Sequence, residues 1–443
     1  MAARARPDGS LSAPRHGYRR ARRLVPIPLW LRSVAVPFVL HLLQLAVFAQ
    51  GTSEFMLSGL LPDIARDLRV PVSAAGALTS AFAVGMVLGA PLMALLGRRW
   101  PRRRALLVFL VTFLLVHVVG ALTTRYDVLL ATRFVAALAN AGFLAVALTT
   151  AAAMVAPGAR GRATAVLLGG TTLACVVGVP AGALLGELWG WRAAFWAVAL
   201  VSLPAVLAIL RSVPHGRPAR STGRGGGVRG ELGALRRPRL VVILLLGALV
   251  NGATFCTFTY LAPLVTGVTG VGTGWVPAVL ALFGLGSFAG VSAAGRLADT
   301  RPVPLLVAGG AALPLGWTVL AFTAGDPVAA LVLVLVQGAL SFAVGATLVA
   351  QALSAAPGAP TLGGGFATAA LNVGAAIGPW CGGAALTAGL GPRSPLWVSA
   401  LLTALALVLA AAARAARRRA PRDGVPRVLR TSQKTSDGDV ENP

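Results

Sequence analysis

The chain has no CxxC pair, no clustered histidines, no phosphate-cradling glycine loop and no Ser/His/Asp set, although it runs to 443 residues. Its three cysteines, Cys175, Cys256 and Cys381, all fall in apolar stretches, which supports neither a disulfide framework nor a metal site. The four histidines, His16, His41, His117 and His215, are scattered in the same way. Nothing here points to an enzyme, and no cofactor is expected. Charge is scarce too: Asp, Glu, Lys and Arg make up 12% of the residues, against roughly 25% in a soluble domain.

What is abundant is apolar surface. Hydrophobic residues form 56% of the chain and its mean hydropathy is +0.79, more than a water-soluble fold can hide. The net charge of +26 sits in short basic runs between apolar stretches, not on a basic face interleaved with aromatics, so nucleic acid is not an expected partner. Almost all the basic residues are Arg and Ala is common, a bias that a GC-rich bacterial genome produces by composition alone.

A bilayer core about 30 Å thick takes roughly 20 apolar residues per helix. Twelve stretches of about that length or longer predict an all-α membrane protein with twelve transmembrane helices. They run over 34–61, 74–97, 105–123, 128–155, 163–188, 191–210, 240–268, 272–297, 303–324, 327–355, 362–390 and 395–413. The first is too long for a signal peptide and lacks a small-x-small cleavage site, so it reads as a retained helix. Five segments follow: a basic tail at 1–33, a six-helix bundle at 34–211, a Gly-, Arg- and Pro-rich linker at 212–238, a second bundle at 239–413 and a polar tail at 414–443. Taking alternate segments as cytoplasmic places 33 of the 39 Lys and Arg residues on one side and six on the other. Basic residues favour the cytoplasm, so both termini and the linker are expected there, which requires an even number of spans.

The two bundles carry an internal repeat. Phe82, Gly85 and Gly89 match Phe283, Gly286 and Gly290 at an offset of 201. Gly178 and Gly182 match Gly378 and Gly382 at an offset of 200, with Pro180 and Pro379 nearby. Parallel repeats around a midplane cavity are the architecture of alternating-access carriers.

Glu54, in GTSEF at 51–55, is the single acid well inside a span, and an intramembrane carboxylate is a functional candidate by default. It lies nine residues in from Asp63, about 13 Å, and Arg133 lies six residues in from Asp127, about 9 Å from the same side. A Glu54 facing Arg133 would stay ionised until a movement separated them and let it take a proton. A permanent structural ion pair, or a Glu capping a kink near Gly51, fits the same residues. The run Gly178-Val-Pro180-Ala-Gly182 predicts a bendable, closely packed helix at the junction of the halves. Asn140, Asn251, Gln337 and Asn372 are uncharged groups suited to orienting a polar solute, and Phe143, Phe255, Phe258 and Tyr260 to stacking on an aromatic one.

These residues resemble the major facilitator superfamily, in particular its twelve-span drug:proton antiporters. The loop at 98–104 and its copy GRLADTR at 295–301 resemble the superfamily's loop between spans two and three. Arg133 is similar to its span-four arginine and residues 178–182 to its span-five antiporter motif. GTSEFMLSGLLPDIARDL at 51–68 and GWRAAFW at 190–196 resemble a subgroup of bacterial exporters of sugars, purine nucleosides and drugs. LTSAFAVGM, ALANAGFLAVALTTAAA and FATAALNVGAAIGP look most like the chloramphenicol-resistance exporters of high-GC actinobacteria. The resemblance implies a monomeric inner-membrane exporter that exchanges chloramphenicol for protons. Arg98, Arg99 and Asp299 join Gly178, Pro180 and Gly182 as gating residues by the same resemblance. One departure stands out: Arg98 occupies the loop's usual Asp position and Pro101 replaces a Gly, while Asp299 keeps the acid in the second half. Export of a sugar or nucleoside, and a receptor or scaffold that has lost transport, remain open readings of the same residues.

Overall fold

Prolines and small residues shape these helices before tertiary contacts do. The computed structural model describes residues 38–96, 100–155, 160–212, 233–297, 302–356 and 363–419. The first crossing is a bent pair, α1 (Phe38–Phe55) and α2 (Leu57–Asp67), with Met56 still helical at φ −61°, ψ −24° between them. Pro62 inside α2 cannot donate to the carbonyl four residues earlier.

In the first half there follow α3 (Val72–Leu96), α4 (Arg102–Leu122), α5 (Tyr126–Ala153), α6 (Arg160–Leu173), α7 (Val179–Trp189) and α8 (Trp191–Ser212). Between α6 and α7, Ala174–Gly178 form a π turn in which Val179 N–H donates to Ala174 O. Pro180 is the second residue of α7, so the wider turn falls where Pro cannot donate a helix hydrogen bond.

The second half contains α9 (Pro238–Thr259), α10 (Leu261–Gly267), α11 (Val276–Leu297), α12 (Pro302–Thr323), α13 (Pro327–Ala355), α14 (Gly363–Thr387) and α15 (Ser394–Arg419). The break between α9 and α10 falls at Tyr260, where Pro263 cannot donate to the Thr259 carbonyl.

Among the described residues, eleven crossings are long and apolar enough to span a bilayer. The α1–α2 pair is the twelfth, its hydropathy lowered by the polar run at 50–54. Outward-facing side chains such as Leu115, Leu200, Phe322 and Leu401 are 55%, 60%, 69% and 69% exposed, a surface suited to lipid. The expected C-terminal tail starts too early: α15 continues to Arg419, through Ala and Arg residues of high helix propensity. The basic tail at 1–33 and most of the linker lie outside the described residues, and Gly233–Arg236 at the linker's end form a 3-10 turn.

The halves repeat their helix pairing. Contacts of α3 with α5, α1 with α6 and α4 with α8 recur as α11 with α13, α9 with α14 and α12 with α15. Gly85 packs on Phe134 and Gly286 on Leu335, while Gly89 packs on Leu138 and Gly290 on Ala339, all at the offset of 201. The second helix pair runs in a different register from the one the sequence predicts. Gly178 packs on Thr52 and Gly382 on Cys256, while Gly170 packs on the backbone of Gln44 and Gly374 on that of Ala248. These pairs, like the bends at Met56 and Tyr260, are 204 apart. Gly178 therefore corresponds to Gly382. Glycines at 374, 378 and 382 recur about once per turn, so a match slipped by one turn looks equally good in the sequence.

The halves meet firmly at the end of the bundle that carries Asp67. Ser80 Oγ donates to Ala376 O at 2.7 Å, and Thr387 Oγ1 lies 2.9 Å from Ser73 Oγ, both joining α3 to α14. Tyr260 is buried there between Gly76 and Gly383 and donates to Pro379 O at 2.9 Å, so it belongs to this seal and not to a stacking site. A cleft of about 310 Å³ lies outside the seal, lined by Val72, Ser73, Tyr260, Leu264 and Leu386 among others. At the same end, Arg192 Nη1 (2.6 Å) and Trp191 Nε1 (3.1 Å) donate to Asp67, while Arg192 Nη2 donates to Thr123 O at 3.0 Å. The Arg192 hydrogen bond holds the Asp67 carboxyl below the usual carboxylate range.

A methyl group at Gly286 would press on the Leu335 and Ala339 backbone, whereas one at Gly345 would meet open space. Gly286→Ala is expected to lower thermal stability in detergent by roughly 1–3 kcal/mol. Gly345→Ala should be neutral or stabilise by up to about 1 kcal/mol. Because folding depresses the Asp67 pKa, its contribution is complete above the unfolded value of about 4 and fades as pH falls through the lower folded value. The melting-temperature gap between wild type and Arg192→Gln should therefore be present at pH 7 and shrink as the buffer is acidified below pH 4.

Candidate functional site

In the apolar sequence of α1, Gln50, Thr52, Ser53 and Glu54 form a polar run at the depth of Arg133. Successive residues on a helix point about 100° apart, so the run addresses several neighbours at once. Thr52 packs on Gly178 of the π turn. Ser53, fully buried, turns toward α4 and α5.

Arg133 reaches from α5 to Ser53 with both terminal nitrogens: Nη1 donates to Ser53 Oγ at 2.7 Å and Nη2 to Ser53 O at 2.7 Å. Its guanidinium also lies 4.6 Å from the centre of the Phe82 ring, a cation–π contact. His117 of α4 completes the cluster, with Nε2 2.6 Å from Ser53 Oγ and Nδ1 2.7 Å from Phe113 O. Ser53, His117 and Arg133 are each at most 1% exposed.

Glu54 and Arg133 do not form the direct ion pair that their depths suggest. The charges interact electrostatically, but no contact within 4.0 Å joins them, because Arg133 has committed its two terminal nitrogens to Ser53. Glu54 is partly exposed and also lies within electrostatic reach of Cys175 in the π turn.

Next to Glu54, Phe55 opens a cluster of rings that crosses between the halves. Its centroid lies 5.6 Å from that of Phe255 and 6.3 Å from that of Phe258. Phe258 continues to Phe283 at 4.7 Å and Phe283 to Phe342 at 6.2 Å. With Cys175 and Thr254 these rings enclose only about 10 Å³, room for one water. In this conformation the rings pack on one another.

The remaining predicted residues separate. Phe143 is fully enclosed and Asn140 is buried on α5, and neither lines the ring-lined cavity or the cleft. Asn251 Nδ2 donates to Leu371 O at 2.7 Å, and Asn372 Nδ2 to Thr368 O at 3.0 Å. Gln337 is buried with Nε2 on Leu313 O at 3.1 Å and Oε1 without a partner. Asn251 ties α9 to α14 and Gln337 ties α13 to α12, while Asn372 bonds within α14. Gly178 and Gly182 do pack tightly, but against Thr52 and Met56 within the first half. The face of the π turn that meets the second half is Cys175 and Val176, against Gly284. Arg98, Arg99 and Asp299 lie outside the described residues.

Sequence reasoning missed Ser53, His117, Phe55, Phe283 and Phe342. A signal for His117 was present: it lies six residues before Thr123, the residue that caps α4, the same depth as Arg133 after Asp127. A histidine inside a span merits the scrutiny given to Glu54.

Residues 43–361 match the model of the Major Facilitator Superfamily. A chloramphenicol resistance protein of Streptomyces lividans is 57% identical over 375 residues, 85% of this chain and 96% of that protein. The inner membrane transport protein YdhP of Escherichia coli K12 is 35% identical over 374 residues, 84% of this chain and 95% of that protein. Among solved structures, a bacterial homologue of the human lysosomal transporter Spinster, inward-facing and unoccupied, superposes with a TM-score of 0.69 at 16% identity. It covers 86% of this chain and 96% of its own. A point mutant of the nucleoside transporter NupG gives a TM-score of 0.68 at 13% identity, over 86% of this chain and 99% of its own. Twelve crossings in two repeated halves, a seal between α3 and α14 and the match over residues 43–361 make this chain a member of the Major Facilitator Superfamily.

Proposed function

We propose that the chain exports chloramphenicol across the cytoplasmic membrane in exchange for protons, as a monomer with both termini in the cytoplasm. The observation that carries this reading is the adjacency of Glu54 and Phe55. A carboxyl with no ion-pair partner among the described residues sits next to a five-phenylalanine cluster that crosses between the halves. The name of the Streptomyces relative supports the choice of drug.

Glu54 takes the proton, and Arg133, held on Ser53, sets the field in which it does so. Chloramphenicol is neutral, aromatic and amphiphilic, so it needs ring faces and no second buried charge. Phe255 and Phe258 supply those faces once the rings part, with Phe55, Phe283 and Phe342 around them. The glycines at 178 and 182 and Pro180 let span five bend as the halves rock. If one proton enters per neutral molecule leaving, each 100 mV of membrane potential contributes about 2.3 kcal/mol, enough for a roughly fiftyfold gradient.

Chloramphenicol accumulation in drug-sensitive cells tests the reading, using the wild type and Glu54→Gln with and without a protonophore. Low accumulation is expected only in energised cells carrying the wild type. Equal accumulation in every case, with both proteins present in the membrane, would reject chloramphenicol export and direct the assay to sugars and nucleosides.

A further inference from the structure

We infer that His117 is a positioning residue for proton coupling: acting through the Ser53 hydroxyl, it keeps Arg133 on Ser53 and off Glu54. The inference rests on the proposed role of Glu54 and adds a residue to it.

The hydrogen-bond directions follow from what each group can do. Arg133 can only donate, so Ser53 Oγ accepts from Nη1. The Phe113 carbonyl can only accept, so His117 Nδ1 carries the proton in that 2.7 Å contact. A neutral imidazole then has a bare Nε2, which takes the single proton of Ser53 Oγ across 2.6 Å. The chain of donation runs from Arg133 through Ser53 to His117 and ends on the backbone of α4.

This chain points the Ser53 lone pairs at the guanidinium. Bonds in such a series polarise one another, so the imidazole makes the hydroxyl a better acceptor for Arg133. A second proton on His117 would turn Nε2 into a donor and leave Ser53 Oγ facing two donors, one of them Arg133. The neutral ring is the state that fits. Phe113 and Phe195 wall it in, at centroid distances of 4.2 and 5.8 Å. The titratable groups close to this cluster are Arg133 from α5, Glu54 from α1 and Cys175 from the π turn.

Without an acceptor at position 117, the Ser53 hydroxyl turns to a backbone carbonyl of its own helix, as buried serines commonly do. Arg133 then loses the partner that holds Nη1, and the nearest anion is Glu54. A carboxylate paired with Arg stays ionised to lower pH. The pH dependence of export therefore moves toward acid.

The test uses the full-length protein in proteoliposomes, measuring chloramphenicol transport driven by an imposed proton gradient over a range of pH. His117→Phe removes the acceptor, and His117→Gln restores one through its amide oxygen. The phenylalanine variant is expected to shift the midpoint of the pH profile about one unit toward acid, a tenfold change in proton concentration. The glutamine variant should return toward the wild-type midpoint. A uniform loss of rate in His117→Phe with the midpoint unchanged would overturn the inference and reduce His117 to packing. If His117→Phe does not reach the membrane, Ser53→Ala cuts the same link and carries the same expected shift, with the same overturning result. Glu54→Gln separates the two ideas. Retained proton-driven export in Glu54→Gln would remove the proposed role of Glu54 and this inference together, while leaving chloramphenicol–proton exchange in place. Loss of export there, with no midpoint shift in the link variants, would remove this inference alone.

Discussion

A guanidinium inside a lipid-embedded bundle must be met by acceptors, because taking an unpaired charge out of water costs several kcal/mol. Arg133 finds two of its acceptors on one residue, the hydroxyl and carbonyl oxygens of Ser53, and a ring face on Phe82. That choice fixes much else in the first half. It ties α5 to α1, recruits α4 through His117, and leaves Glu54 without an ion-pair partner among the described residues.

Small residues then decide how closely the helices around this cluster approach. Gly170, Gly178 and Gly182 bring span five against α1, and the π turn presents Cys175 and Val176 to Gly284 of the other half. One helix thus serves both the interior of its own bundle and the junction. The bond pattern of the π turn matters because an unbroken α-helix would direct those faces differently.

Most of the architecture was legible in the sequence, because a bilayer imposes length and composition on every crossing. The tenth stretch, 327–355, coincides with α13, and the sixth, 191–210, begins with α8 at Trp191. What sequence could not supply was register and direction. Depth along a helix placed Glu54 and Arg133 in one layer, but not which of two adjacent residues the arginine would take. The polar amides show the same limit. Asn251, Gln337 and Asn372 have the chemistry to hold a solute, and backbone carbonyls of neighbouring helices or of their own occupy their amide nitrogens. The glycine repeat in spans five and eleven was recognisable, yet its four-residue spacing hid a slip of one turn.

The bends at Met56 and Tyr260 share the 204-residue register of the helix pairs around them, and that register reads position by position. Ser53 falls on Thr257, which bonds to Ser399 at 2.7 Å, a neutral hydroxyl pair where the first half holds a charge. Glu54 falls on Phe258. In that register one copy of the repeated helix carries an acid where the other carries a ring. Because the acid and the ring belong to opposite halves, any motion that carries one half past the other changes the position of Glu54 relative to Phe258.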